Sequence, residues 1–309
     1  MTGGAGFIGT HTVEVLLTAG AEVLVIDDHS HPCGETLPPQ VDIVQADCGS
    51  ETAQRALDTF KPELVLHLAS KGGVHKAARN PGEHVRASVA STVALYDSAI
   101  RSGARRIVTA SSGGTVYGAA SRLPARESLT PAPVSAYGAA KRAEEVYLFA
   151  FGRRHRVSTV ALRYGNVYGP RQDGTGEAGM VAITCHRLLE GRSPQVFGDG
   201  HQTRDFIYVG DIADANVKAL LGKASGEVNV GTGRETSVNE IVRNLMKQSH
   251  NDRPPEFAPA REGEVRRVCL DVARAGRWFG WSPRVDIETG LGLTWSWFCK
   301  RRSESRSGK

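Results

Sequence analysis

The constraint that most narrows the fold of this 309-residue chain is an alternation. Short apolar runs at Glu22–Ile26, Ile43–Ala46, Leu64–Leu68, Ile107–Ala110 and Ser158–Arg163 are separated by helical patterns. The helical patterns cover Gly9–Ala19, Glu51–Phe60, Pro81–Ser102 and Tyr137–Arg153. A βαβα rhythm predicts a parallel sheet with helices on both faces, an α/β doubly wound fold of Rossmann type. Such sheets bind ligands outside the carboxyl ends of their strands. After Arg163 the rhythm loosens. Gly165–Gly179 reads as a long loop, followed by a helix at Val181–Glu190 and short strands at Gln195–Phe197 and Phe206–Tyr208. Helices at Asp211–Leu221 and Ser237–Gln248 and a loop at Pro254–Pro259 complete the reading. The expected organisation is a doubly wound domain over residues 1–164, with parts of 191–230 returning to it. A smaller lobe is built from 165–190 and 231–298, and 299–309 forms a basic disordered tail.

The glycine turn comes unusually early. Parallel α/β domains place a strand before it, yet here it begins at Thr2, which leads us to expect a truncated first strand and a functional chain that starts upstream. Gly3, Gly6 and Gly9 are spaced to let a backbone approach a pyrophosphate at a helix N-terminus. Eighteen residues after Gly9 the run Val23–Ile26 ends in Asp27 and Asp28. A carboxylate there accepts from ribose hydroxyls and repels a 2′-phosphate, and no Lys or Arg lies between Ala21 and Leu37. This pattern favours NAD over NADP. Asp47 either faces the adenine or caps the helix at Glu51–Phe60.

Two further segments fall at carboxyl ends of strands. Ser111–Gly118 is rich in hydroxyls and glycine. Tyr137 and Lys141 sit four apart on a helical pattern, which puts them on one face. A cation beside a phenol favours the phenolate, which makes tyrosine usable as a base. Alone, the pair also suits a solvated lysine beside a half-buried tyrosine.

Composition removes other classes. The formal charge of +5 owes most of its excess to Lys300, Arg301, Arg302, Arg306 and Lys309, set against Glu304. No aromatic-basic stripe accompanies it, so nucleic acid is not an expected partner. No apolar run approaches the roughly 18 residues of a membrane span. Five scattered cysteines show no metal or CxxC spacing, which suits a reducing cytoplasm and no metal.

The chain resembles the extended short-chain dehydrogenase/reductases, and within them the nucleotide-sugar epimerases of the UDP-glucose 4-epimerase type. The resemblance rests on TGGAGFIG (2–9), SSGGTVYG (111–118), YGAAK (137–141), RYGNVYGPRQDGTGEAG (163–179), FGDGHQTRDFIYVGDIADA (197–215) and REGEVRRVCLD (261–271). It implies NAD as cofactor, a UDP-sugar substrate and a homodimer paired through the helices at 81–102 and 137–153. Tyr137 would be the base, and Lys141 would hold the nicotinamide ribose. Phe7, Ile8, Cys48, Leu68, Ala69, Ser70, Ser88 and Tyr164 would join the glycines and Asp27, Asp28 and Asp47 around the cofactor. Asn166, Arg204 and Arg261 would bind the diphosphate and Glu264 the uridine ribose. Surface ion pairs with Asp205 and Glu262 are the alternative for the two arginines.

The chain departs from the family pattern in three places. Gly113 stands where a catalytic Ser or Thr is common, which passes that role to Ser112, Thr115 or water. Ser88 replaces a cofactor-contacting Asn. The stretch Gly72–Pro81 carries His75, Lys76 and Arg79, which suits either a uronate or a solvated loop. Dehydratases of this type carry Asp-Glu where Gly114 and Thr115 stand, and UDP-glucuronate decarboxylases carry Glu at the Thr115 place. The expected reaction is therefore 4-epimerisation of a UDP-hexose. UDP-glucuronate and UDP-N-acetylhexosamine are the alternative substrates, and a non-catalytic NAD sensor is the alternative class.

Overall fold

The structure is a computed structural model. It describes every residue except 32, 34, 176–178, 262–263 and 308–309, and it leaves out the side chains of 305–307. The first half alternates as the sequence predicts: α1 (Phe7–Thr18), β1 (Leu24–Asp27), β2 (Asp42–Gln45), α2 (Glu51–Phe60), β3 (Leu64–His67). Next come α3 (Val74–Arg79), α4 (Pro81–His84), a π-helical segment (Val85–Ala90) and α5 (Ser91–Arg101). The rod expected over 81–102 is thus continuous but widened at its centre. The α3 helix sits in a stretch that reads as a loop. After β4 (Arg106–Ser112) and the single turn α6 (Gly113–Val116) comes the long α7 (Ala136–His155). Ser135 caps α7, accepting from Gly138 N–H at 3.1 Å, and Arg153, Arg154 and His155 lie at its negative end.

The remaining elements are β5 (Ser158–Tyr164), β6 (Asn166–Tyr168), α8 (Met180–Leu189), β7 (Gln195–Phe197), β8 (Thr203–Arg204), β9 (Phe206–Tyr208) and α9 (Val209–Leu221). They continue with β10 (Gly226–Val230), β11 (Thr236–Ser237), α10 (Val238–Ser249), β12 (Glu256–Ala258), α11 (Ala273–Phe279) and α12 (Ile287–Ser307). Two expectations fail here. The supposed loop Pro254–Pro259 contains β12, which pairs in parallel with β7. The tail expected to be disordered is helical through Ser307, because α12 carries on from a turn anchored by buried Phe298. A Lys300–Glu304 pair and an Arg301–Glu35 contact add to it.

All main-sheet pairings are parallel: β2 with β1, and β3, β4, β5 and β10 in that lateral order. Between β1 and β3 the place of a first strand is held by Thr2, which bridges Ile26 on one side and His67 on the other. Backbone bonds from Thr2 N to Leu66 O (2.9 Å) and from Gly3 N to Ile26 O (3.0 Å) hold it there. Counting Thr2, the order is that of a doubly wound dinucleotide-binding sheet. Helices α1 and α9 cover one face around Val13, Leu16, Ile212 and Trp281. Helices α2, α5 and α7 cover the other around Leu57, Leu95 and Leu148. A separate core joins α8, α10 and α12 to β6 and β9 through Tyr168, Cys185, Ile241, Leu245 and Leu291. No described helix is long and apolar enough to cross a membrane.

Candidate active site

Because the strands run parallel, their carboxyl ends share one edge. Asp27, Leu68–Ser70, Ser111–Ser112 and Tyr164 all lie along it, and the turn before α1 opens onto it. The turn is tight. Gly3 has φ of 70°, and a Cβ at Gly9 would lie 2.1 Å from the Gly3 carbonyl oxygen. Asp27 braces it: its Oδ2 accepts from Ala5 N–H at 2.9 Å and its Oδ1 from His29 N–H at 2.8 Å. No described side chain caps α1, which leaves its first N–H groups to an anion. Beside the turn, Ser70 Oγ is buried without a hydrogen-bond partner among the described residues. A glycine cradle, a bare helix start and an orphaned hydroxyl fit a dinucleotide.

Sequence reading missed a cation on this edge. Lys71 touches Asp28 and lies 2.8 Å from Asp47 Oδ2. Burial would push Asp28 up, but Lys71 and Ser30 hold it down to about 2. Asp47 is lowered in the same way, and its other oxygen accepts from Gly49 N–H. It does not cap α2, since Ser50 does so through Ala53 N–H. Cys48 is buried, which pushes its thiol up to about 12. Tyr164, at the end of β5, donates its hydroxyl to Asn216.

The Tyr137–Lys141 pair is set against the hydroxyl-rich turn by Gly138. A Cβ there would lie 2.7 Å from the Thr115 carbonyl oxygen, so only glycine lets α7 come this close to α6. Lys141 Nζ sits 6.0 Å from the Tyr137 ring centre. Tyr137 is half-buried, whereas Lys141 is 4% exposed. The His84 ring is 6.1 Å from that of Tyr137, and its Nδ1 is buried without a partner among the described residues. Thr115 bonds back to Ser112 O at 3.5 Å. Ser88 donates to Glu144 of α7 at 2.8 Å. Beneath the pair, Glu145 takes Arg163 Nε and Nη2, both at 2.8 Å, and the Ser111 hydroxyl at 2.6 Å. Burial would raise Glu145, but Arg163 foremost holds its carboxyl below the usual range.

The expected diphosphate residues lie on β6, on β8 and just after β12. Asn166 is exposed on β6, and a Cβ at Gly114 would lie 3.5 Å from its Oδ1. Arg204 pairs with Glu264 at 2.5 Å and not with Asp205. Asp205 is buried and accepts from Thr232, Gly233 and Leu270. Arg261 stacks 4.0 Å over Phe197 and touches His75 of α3 at 2.8 Å. Its supposed partner Glu262 lies outside the described residues. Lys76 and Arg79 are exposed.

Residues 1–231 match the NAD dependent epimerase/dehydratase family. A UDP-glucose 4-epimerase of Mycolicibacterium smegmatis is 39% identical over 304 residues, which span 96% of this chain and 97% of that protein. The crystal structure of the Thermotoga maritima UDP-glucose 4-epimerase with UDP-glucose superposes with a TM-score of 0.94 at 37% identity. It covers 97% of this chain and 98% of its own. The Thermus thermophilus UDP-glucose 4-epimerase complexed with NAD gives 0.91 at 36% identity, covering 96% and 97%.

Proposed function

The chain belongs to the NAD-dependent epimerase/dehydratase family, and from that premise we propose that it interconverts UDP-hexoses that differ in configuration at C4. It is an enzyme of the extended short-chain dehydrogenase/reductase type and its cofactor is NAD. The observation that carries the reading is that α7, which bears Tyr137 and Lys141, packs at Gly138 against the turn Gly113–Val116, and that turn has no carboxylate to eliminate water. Bound NAD supplies a reversible hydride acceptor for C4 of the sugar.

The protein's part is positional and protonic. Tyr137 takes the proton of the 4-hydroxyl and returns it after the sugar has turned over. Lys141 supplies the fixed positive charge that favours the phenolate. Arg204, Arg261 and Asn166 hold the diphosphate, with Glu264 at the uridine ribose. Arginine forks match phosphate oxygens, and an anchor remote from C4 leaves the sugar free to present either face. Asp27, the glycine turn and Ser70 hold the dinucleotide.

The contact between His75 and Arg261 brings one residue of the basic stretch to the proposed diphosphate site, which keeps UDP-glucuronate as a second substrate. Incubating the purified protein with UDP-glucose, UDP-N-acetylglucosamine and UDP-glucuronate, with product configuration read by NMR, tests the proposal. C4-inverted product from UDP-glucose supports it, and inert behaviour with all three refutes it. The exposed Val85, Val146 and Tyr147 on neighbouring helices favour a homodimer, testable by light scattering. The free cysteines suit the cytoplasm as its compartment.

A further inference from the structure

Helix α7 buries two adjacent carboxylates, Glu144 at 1% and Glu145 at 0% exposure. Glu145 is taken up by Arg163 and Ser111 and fastens α7 to the sheet. Glu144 has a different partner. Its Oε2 accepts from Lys141 Nζ at 3.0 Å, and its Oε1 from Ser88 Oγ at 2.8 Å. Ser88 reaches it from the π-helical segment, a wider turn of a kind often found at functional sites. Burial would strip the proton from Lys141, yet the charges of Glu144 and then Tyr137 raise its pKa above the usual lysine value. The lysine is thus a fixed ammonium. A carboxylate on that ammonium also cancels part of the field it projects onto a neighbour. A helix built only to favour a phenolate would leave the cation unopposed.

We propose that Glu144 is a positioning residue for the reaction described above. With Ser88 it fixes Lys141 beside Tyr137 and offsets part of its charge there, and so sets the pH below which Tyr137 ceases to act as a base. This rests on Tyr137 being the base. Other groups face the cluster. His84 comes from α4 and Tyr96 from α5. His67 ends β3, and Cys48 and Asp47, the latter with Lys71, follow β2. Burial holds His67 down to about 4 and Cys48 up to about 12, so both are uncharged near neutrality. His84 is the imidazole in ring contact with Tyr137, so its contribution must be separated.

The test uses the NAD-loaded enzyme. Glu144→Gln keeps the size, lets the amide oxygen accept from Lys141 and the amide nitrogen donate to the Ser88 hydroxyl, and removes the charge. Glu144→Asp keeps the charge at a shorter reach. Each is made alone and with His84→Gln. The pH profile of kcat/KM is measured, together with the ultraviolet phenolate titration of Tyr137, isolated by subtracting the matching Tyr137→Phe variant. With Glu144→Gln, the acid limb and the phenolate midpoint both move to lower pH by about one unit, roughly tenfold in activity on that limb, in either His84 background. Glu144→Asp moves them less, in the same direction. An unmoved or raised midpoint in either folded variant overturns the proposal. The phenolate titration needs no turnover, so it reads the charge coupling even if the base assignment fails. Full activity in Tyr137→Phe would mark that separate failure.

Discussion

Lys71 lies between two acidic residues from different strand ends, touching Asp28 and 2.8 Å from Asp47 Oδ2. It is the cation that balances the carboxylates at the proposed adenosine end of the site. A dinucleotide brings a dianionic pyrophosphate to that edge, so removing Lys71 leaves three sets of negative charge without a counterweight. Lys71→Met is expected to weaken NAD binding about tenfold, near 1.4 kcal/mol. Calorimetric titration of the stripped protein reads it. An unchanged dissociation constant would show that Lys71 serves only its two aspartates.

Tyr137→Phe removes one oxygen from a half-buried ring, and the fold should tolerate it. Turnover of UDP-glucose is expected to fall at least about a hundredfold, the usual scale for losing a general base. NAD affinity should change little. Comparable turnover in the two proteins would move the base to another group.

A hydroxyl-bearing residue does not fit at Gly113 without a shift of its neighbours. A Cβ there would lie 2.7 and 2.8 Å from the two methyls of Leu270 and 3.1 Å from the Arg163 carbonyl oxygen. Leu270 is fully buried, so it has little room to yield. Gly113→Ser is expected to cost about 2 kcal/mol in chemical denaturation, the scale of an overpacked core. Combined with Leu270→Ala the cost should be well below the sum of the single changes. Strict additivity would mean that the two side chains do not compete for space.

His67 is fully buried between the hydroxyls of Thr2, 2.7 Å from its Nδ1, and Thr92, 3.0 Å from its Nε2. Burial lowers its pKa from 6.5 to about 4. The unfolded chain therefore takes up a proton below about pH 6.5, while the folded chain waits until about 4. The contribution of His67 to stability is complete above that window and lost as pH falls through it, by on the order of 3 kcal/mol. Thermal midpoints should decline between pH 6.5 and 4. The decline should be shallower in His67→Gln, and equal slopes would place the acid sensitivity elsewhere.

The parts of this site that could be read in the sequence are those whose partners are near in the chain. The helix spacing of Tyr137 and Lys141, the cradle at Gly3–Gly9 and the strand ending in Asp27 are all local patterns. What escaped reading depends on contacts made by the sheet. Nothing near position 71 announces that parallel pairing will lay it against residues 28 and 47. Glu144 and Glu145 look like the solvated face of a charged helix until packing buries both. Helix α3 hides in a stretch opened by Gly72 and Gly73, and β12 among prolines. In each case a long-range partner overrode the local pattern.

Met1–Gly3 are hydrogen-bonded to Leu24 and Ile26 on one side and to Leu66 and Leu68 on the other, so they join the two sets of strands into one sheet. On one side lie β1 and β2, and on the other β3, β4, β5 and β10. The proposed cofactor groove runs across that line, with Asp27 on one side and Ser70 on the other. NAD would then work as a rivet as well as a reagent. In the stripped protein the amides of β1 and β2 should exchange with solvent well before those of β4 and β5, and bound NAD should close the gap.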